Sequence, residues 1–147
     1  LKAIITQNID GLHQIAGSKN VFELHGSVHR NYCTNCNSFY DAEFVITAPG
    51  IPLCTKCGEI VKPDVVLYEE MLDDNVINGA INAIASADTL IIGGTSLVVY
   101  PAAGLINYFR GKNLILINKT PTPADSNANL VIRDSIGKVL SEAVSNL

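Results

Sequence analysis

Thr89-Leu90-Ile91-Ile92-Gly93-Gly94-Thr95-Ser96 decides the fold. Its apolar core has no polar alternation, as in a strand of a parallel sheet covered on both faces. A glycine turn follows at once. Upstream, Asp73 or Asp74 caps a predicted helix over 73–87, with Val76, Ile77, Ala80, Ile81, Ile84 and Ala87 at helical spacing. Downstream, Pro101 opens a helix over 101–110 that Gly111 closes. Strands are predicted at Asn113–Ile117 and Leu130–Ile132, then a helix over 135–146. Nearer the start, 1–6, 21–24 and 64–68 read as strands, the last with Pro63 at its entrance. The order of elements predicts an α/β fold: a doubly wound, mostly parallel, Rossmann-like sheet.

Four cysteines interrupt this pattern. Cys33, Cys36, Cys54 and Cys57 form two C-x-x-C pairs. Each pair presents two thiolates on one knuckle, and two such knuckles make a tetrahedral zinc site. Disulfides need a secreted chain, which no feature marks, and a redox motif needs one pair only. With four thiolates the shell is closed, so the zinc is structural. The predicted organisation is a partial Rossmann-like domain over 1–32 and 62–147, with a zinc-ribbon module inserted at 33–61. Phe39, Phe44, Val45 and Ile46 are too few to give that module a core without the metal.

Composition narrows the function. The chain has 147 residues, 48% hydrophobic and 16% charged, which excludes a disordered tail. Ten Lys and Arg against fourteen Asp and Glu leave a net charge of −4, so a nucleic-acid surface is not expected. No apolar run reaches the roughly 18 to 20 residues that span a bilayer. With no signal peptide visible, a cytoplasmic location and no membrane partner are expected. Leu1-Lys2-Ala3-Ile4-Ile5-Thr6 opens as a strand already under way. That start fits either a trimmed terminus or, the reading preferred, a fold whose upstream piece is missing.

In open α/β sheets ligands bind at the carboxyl ends of strands. Four polar or glycine clusters fall there: Gln7-Asn8-Ile9-Asp10-Gly11, His25-Gly26, Gly93-Gly94-Thr95-Ser96, and Asn118. The Gly-Gly-Thr-Ser turn alone is a plain loop as readily as a phosphate cradle. Its backbone N–H groups suit a phosphate or ribose, and the Asn118 amide suits a ribose diol.

Together these residues resemble the sirtuins, the NAD-dependent protein deacylases. Thr6-Gln7-Asn8-Ile9-Asp10-Gly11-Leu12-His13 is similar to their nicotinamide-ribose loop, and Glu23-Leu24-His25-Gly26 to the segment bearing the catalytic histidine. Pro63-Asp64-Val65-Val66-Leu67-Tyr68 resembles the acyl-lysine strand. Gly94-Thr95-Ser96-Leu97, with Tyr100-Pro101-Ala102-Ala103, resembles the cofactor turn and its helix. The cysteine pairs match the family's zinc module.

The resemblance implies that NAD is consumed as co-substrate with an acyl-lysine protein or peptide. The acyl oxygen attacks the ribose carbon, nicotinamide leaves, and an O-acyl-ADP-ribose forms. His25 would be the general base, a role suited to a side chain that titrates near neutrality. Gln7, Asn8 and Ile9 would line the nicotinamide ribose, and Asp10 would bond the carboxamide. Gly94, Thr95, Ser96, Asn118 and Lys119 would hold the adenosine ribose and phosphates, with Ile136 against the adenine. Val66, Leu67 and Tyr68 would receive the acyl-lysine. His13 is read as ordering its own loop, His29 as a surface residue; Asp10 could equally cap a turn, and Tyr68 could be core.

Two departures stand out. The family's Gly-Ala-Gly-x-Ser loop and its mobile flap are absent from residues 1–147, so this polypeptide alone is expected to be inactive. Tyr68-Glu69-Glu70 stands where many members have Phe-Gly-Glu. The competing readings are a non-catalytic zinc-ribbon module that binds a nucleotide or partner, and a mono-ADP-ribosyltransferase.

Overall fold

β1 (Ile4–Thr6) and β2 (Val21–Glu23) run parallel, with Ile4 opposite Val21 and Thr6 opposite Glu23. A parallel pair needs a crossover of about a dozen residues. Here the crossover carries the single-turn helix α1 (Leu12–Ile15). Both strands therefore end on the same side, so the chain after Thr6 and the chain after Glu23 emerge as neighbours. The computed structural model describes residues 1–145. It falls into two compact units, Leu1–Gly79 and a second beginning at Ala80.

The first unit also holds an antiparallel sheet. Its central strand is β3 (Gly26–Cys33), flanked by β4 (Phe39–Tyr40) and β5 (Val61–Val65). β3 was not expected, because its inward residues are polar. Ser27 and Asn31 are almost fully buried, at 2% and 1% exposed. The strand expected over 64–68 lies earlier, and Pro63 sits inside it. Proline is tolerated there because β5 is an edge strand, where one missing N–H breaks no second ladder. Val61 packs with Cys33 and Cys54, backed by Tyr40, Phe44 and Val45. Phe44 and Val45 belong to α2 (Ala42–Ile46), which Asp41 caps by accepting the Phe44 N–H at 2.9 Å. Phe39 and Ile46 face solvent, so the cysteines form much of this small core.

α3 (Asp74–Ala85) runs across the boundary of the two units. Asp73 Oδ1 caps it, accepting from Asn75 and Val76. Its buried residues are Ala80 and Ile84, two of the six at helical spacing.

In the second unit β6 (Thr89–Gly93), β7 (Asn113–Ile117) and β8 (Leu130–Ile132) form a parallel sheet in that order. β7 is the buried strand, with Leu114, Leu116 and Ile117 almost inaccessible. β6 was expected to be covered on both faces, yet Ile91 is 49% exposed. Among the described residues β6 stands at one side of this sheet. The helix expected over 101–110 forms as a 3₁₀-helix, Ala102–Tyr108. Gly104 and the β-branched Ile106 weaken the α form there, and Gly104 N–H closes a tighter bond to Pro101. A second 3₁₀ turn, Asp125–Asn127, follows the Pro-rich loop. The last helix is α4 (Ile136–Ser145); the expected end at Asn146 lies outside the described residues. Among the described residues no helix is long and apolar enough to cross a membrane.

Candidate active site and metal centre

His25 follows β2, half-buried, and its Nδ1 lies 2.9 Å from the Gln7 carbonyl oxygen. A carbonyl only accepts, so Nδ1 carries the hydrogen and the neutral ring keeps its lone pair on Nε2. The backbone is held as firmly. Leu24 N–H donates to Thr6 O at 2.9 Å, and Val66 N–H donates to His25 O at 3.1 Å. Gly26 follows with φ +76, where a Cβ would stand 1.9 Å from Asp64 O. Only glycine lets β5 approach the histidine backbone this closely.

The loop after β1 folds back through short-range bonds. Asn8 N–H donates to Thr6 Oγ1, and Leu12 N–H to Asp10 Oδ1, each at 3.0 Å. Asp10 therefore caps the turn with one carboxylate oxygen. The loop is also tied to β3: Val28 N–H donates to Ile9 O at 3.1 Å, and His29 Nε2 to Asp10 O at 3.0 Å. His29 is exposed as expected, but it is not idle on the surface.

Arg30 joins the predicted catalytic and substrate segments. Its Nη1 meets Glu23 Oε2 at 2.6 Å and its Nε meets Asp64 Oδ2 at 2.8 Å. Partial burial works against its charge, but the two carboxylates outweigh that and raise its pKa above the usual guanidinium value. The sequence reading missed Arg30, whose partners stand on two other strands, Glu23 on β2 and Asp64 on β5.

Past β5 the chain turns outward. Tyr68 is 98% exposed and Leu67 is 56% exposed, so Tyr68 is no core residue. Leu67 N–H donates to Glu70 Oε2 at 2.9 Å, and Lys62 Nζ meets Glu70 Oε1 at 2.7 Å. The Leu67 N–H, then Lys62, hold the Glu70 carboxyl below its ordinary value. Glu69 adopts φ +71, in the left-handed region.

The four cysteine Sγ atoms lie within 4.8 Å of one another. Cys33–Cys57 is 3.4 Å and Cys36–Cys54 is 3.5 Å. A tetrahedral ion with Zn–S near 2.3 Å sets its sulfurs roughly 3.8 Å apart, so the donor set fits zinc in number, softness and spacing. The Tyr40 hydroxyl donates to Cys54 at 3.2 Å and, against burial, brings its thiol down to about 5. Cys57 is pushed up to about 11: the Glu59 N–H favours its thiolate, but the Cys33 sulfur and burial outweigh it. Crowded thiolates repel one another, and a bound cation relieves that repulsion.

In the second unit the predicted cofactor residues meet at the carboxyl edge of β6–β7–β8. Gly94 turns with φ +65, its N–H bonded to Ile117 O at 3.2 Å. Thr95 Oγ1 accepts the Leu97 N–H at 3.2 Å. Ile136 fills the space beside Gly93, where a Cβ would come within 2.2 Å of it. Asn118 spends its amide N–H on Thr120 O at 2.9 Å. Arg133 holds the same loop through Asn118 O, Thr120 O and Asp125. Ser96 and Lys119 are exposed beside these groups.

The Sir2 family profile matches residues 1–101. The chain belongs to the Sir2 family. An NAD-dependent protein deacetylase of Clostridium perfringens is 77% identical over 145 residues, covering 98% of this chain and 59% of that protein. One of Clostridium acetobutylicum is 68% identical over the same shares. The chain thus spans about 59% of the length of these relatives. Among solved structures, a Sir2 complex with p53 peptide and NAD+ superposes with TM-score 0.91 at 37% identity, covering 99% of this chain and 63% of that one. Sir2 bound to acetylated peptide gives 0.91 at 36%, with the same coverage. The Sir2 fold, with its cysteine cluster, is therefore present here as the sequence implied.

Proposed function

We propose that this Sir2 chain supplies the base, the nicotinamide loop, the acyl-lysine strand and the structural zinc module of an NAD-dependent protein-lysine deacylase. The enzyme would release nicotinamide and form O-acyl-ADP-ribose. The observation that carries the reading is the His25–Gln7 bond, which leaves Nε2 unprotonated in the neutral ring. Curated relatives at 77% and 68% identity carry the name NAD-dependent protein deacetylase, and Sir2 neighbours bind NAD+ and acetylated peptide, which supports the same reading.

NAD, when bound, supplies the ribose carbon from which nicotinamide departs. This chain's residues would do the rest. His25 Nε2 would accept a proton from a ribose hydroxyl. Gln7, Asn8 and Ile9 would border that ribose, and the second Asp10 oxygen, not used in the turn, would accept from the carboxamide. Backbone N–H groups at Gly94, Thr95 and Ser96 would meet phosphate and ribose, with Asn118 and Lys119 beside them and Ile136 as an apolar backing. The exposed edge at Val66, Leu67 and Tyr68 would receive the acyl-lysine peptide. Cys33, Cys36, Cys54 and Cys57 would hold zinc away from the chemistry, since a closed shell offers no site to substrate.

The test is turnover of an acetyl-lysine peptide with NAD in the complete protein. His25→Ala should lower kcat by roughly 10²–10⁴-fold, the usual contribution of a positioned base, with unchanged zinc content and Tm. Near-normal turnover by that variant would overturn the assignment.

A further inference from the structure

β3 is not continuous in its pairing with β5: Ser27 pairs with Asp64 and the next partner, Pro63, pairs with Asn31. Val28, His29 and Arg30 stand out of the ladder. Bulges re-aim the residues they hold, and this one turns Val28 and His29 to the loop after β1 and Arg30 to β2 and β5. Val28 N–H goes to Ile9 O, the His29 ring to Asp10 O, and Arg30 to Glu23 and Asp64. The His29 ring also lies on Gly11: a Cβ there would fall 2.7 Å from Cδ2 and 2.9 Å from Nε2. Gly11 is buried, with φ +68. The ring covers the one residue of the loop that has no side chain.

We propose that His29 is a positioning residue for Asp10, and through it for the nicotinamide end of the cofactor site. The inference rests on the functional reading above. The Asp10 carbonyl accepts from His29 while its carboxylate accepts from Leu12, so the residue is fixed at both its backbone and its side chain. That leaves one carboxylate oxygen aimed by the turn rather than free to rotate. Asp10 O has only an acceptor's role, so His29 must donate from Nε2. Glutamine can place an N–H near that position; leucine fills similar space without a donor.

The experiment compares His29→Leu and His29→Gln in the complete protein, following nicotinamide exchange, inhibition by nicotinamide and the KM of an acetyl-lysine peptide. One net hydrogen bond corresponds to roughly a threefold to tenfold change in an equilibrium constant. His29→Leu should weaken nicotinamide binding by about that factor, with the peptide KM unchanged, and His29→Gln should restore it. Amide exchange is read in parallel. The Leu12 N–H should exchange a few-fold faster in His29→Leu, while the Leu24 N–H, bonded to Thr6, should not. Unchanged nicotinamide constants, equal loss in both variants, or an unmoved Leu12 amide would each overturn the proposal. If the unmutated protein neither deacylates nor exchanges nicotinamide, the functional reading fails by itself. The Leu12 amide then still decides whether His29 positions Asp10.

Discussion

His25 Nδ1 and the Gln7 carbonyl oxygen, 2.9 Å apart, join the ends of two parallel strands. The orienting group is backbone, so it does not depend on the Gln7 side chain. Three residues on, the Asp10 carbonyl accepts from His29 in the same way. One loop is thus held between two imidazoles that come from β2's end and from the β3 bulge. A carbonyl acceptor selects which nitrogen carries the hydrogen, and for His25 that choice leaves the basic nitrogen away from the loop.

Gly26→Ala should be the most damaging single methyl in the first unit. The added carbon would meet Asp64 O at 1.9 Å, and φ +76 is unfavourable for any side chain. Left-handed strain and overpacking together point to a loss on the order of 3 kcal/mol or more. Urea unfolding of the purified variant would check this; an unchanged midpoint would contradict the described contact between β3 and β5.

Glu69→Gly should stabilise the protein. Glu69 occupies φ +71, which glycine adopts without a Cβ penalty. Part of the roughly 1–2 kcal/mol strain is offset by glycine's greater chain entropy. A net gain of about 0.5–1 kcal/mol is expected from thermal or denaturant unfolding, and a loss would show that the turn does not hold this conformation.

The turn at Leu67–Glu70 should loosen in acid. The Leu67 N–H and Lys62 lower the folded-state pKa of Glu70 below its unfolded value. Its contribution is therefore complete above the ordinary carboxylate range and is lost as pH falls through the lowered value. Side-chain NMR should find Glu70 titrating below the ordinary glutamate value, with the Leu67 amide shifting alongside. Glu70→Gln should abolish that amide titration.

The protein should bind one zinc ion through Cys33, Cys36, Cys54 and Cys57. Chelation should then expose residues 33–61 to protease, since Cys33 and Cys54 are themselves part of the small core. Retained protease resistance after complete zinc removal would show that the module folds without metal.

The cysteine spacing, the His25 segment and the β6–β7–β8 sheet were legible in the chain itself, because each is carried by neighbours in sequence. Ligand knuckles, glycine turns and apolar runs are local signals, and their chemistry follows from residue type at fixed separation. β3 was invisible, because Ser27 and Asn31 occupy its buried face in place of apolar residues, and Pro63 displaced the reading of β5. Only the tertiary structure decided what His29 and Arg30 do. Their partners stand on other elements, Asp10 in the loop after β1, Glu23 on β2 and Asp64 on β5, and the bulge that aims them exists only once β3 has paired with β5. The exposure of Tyr68 belongs to the same class: an aromatic side chain declares its chemistry in sequence, while its burial depends on which way the turn after β5 points.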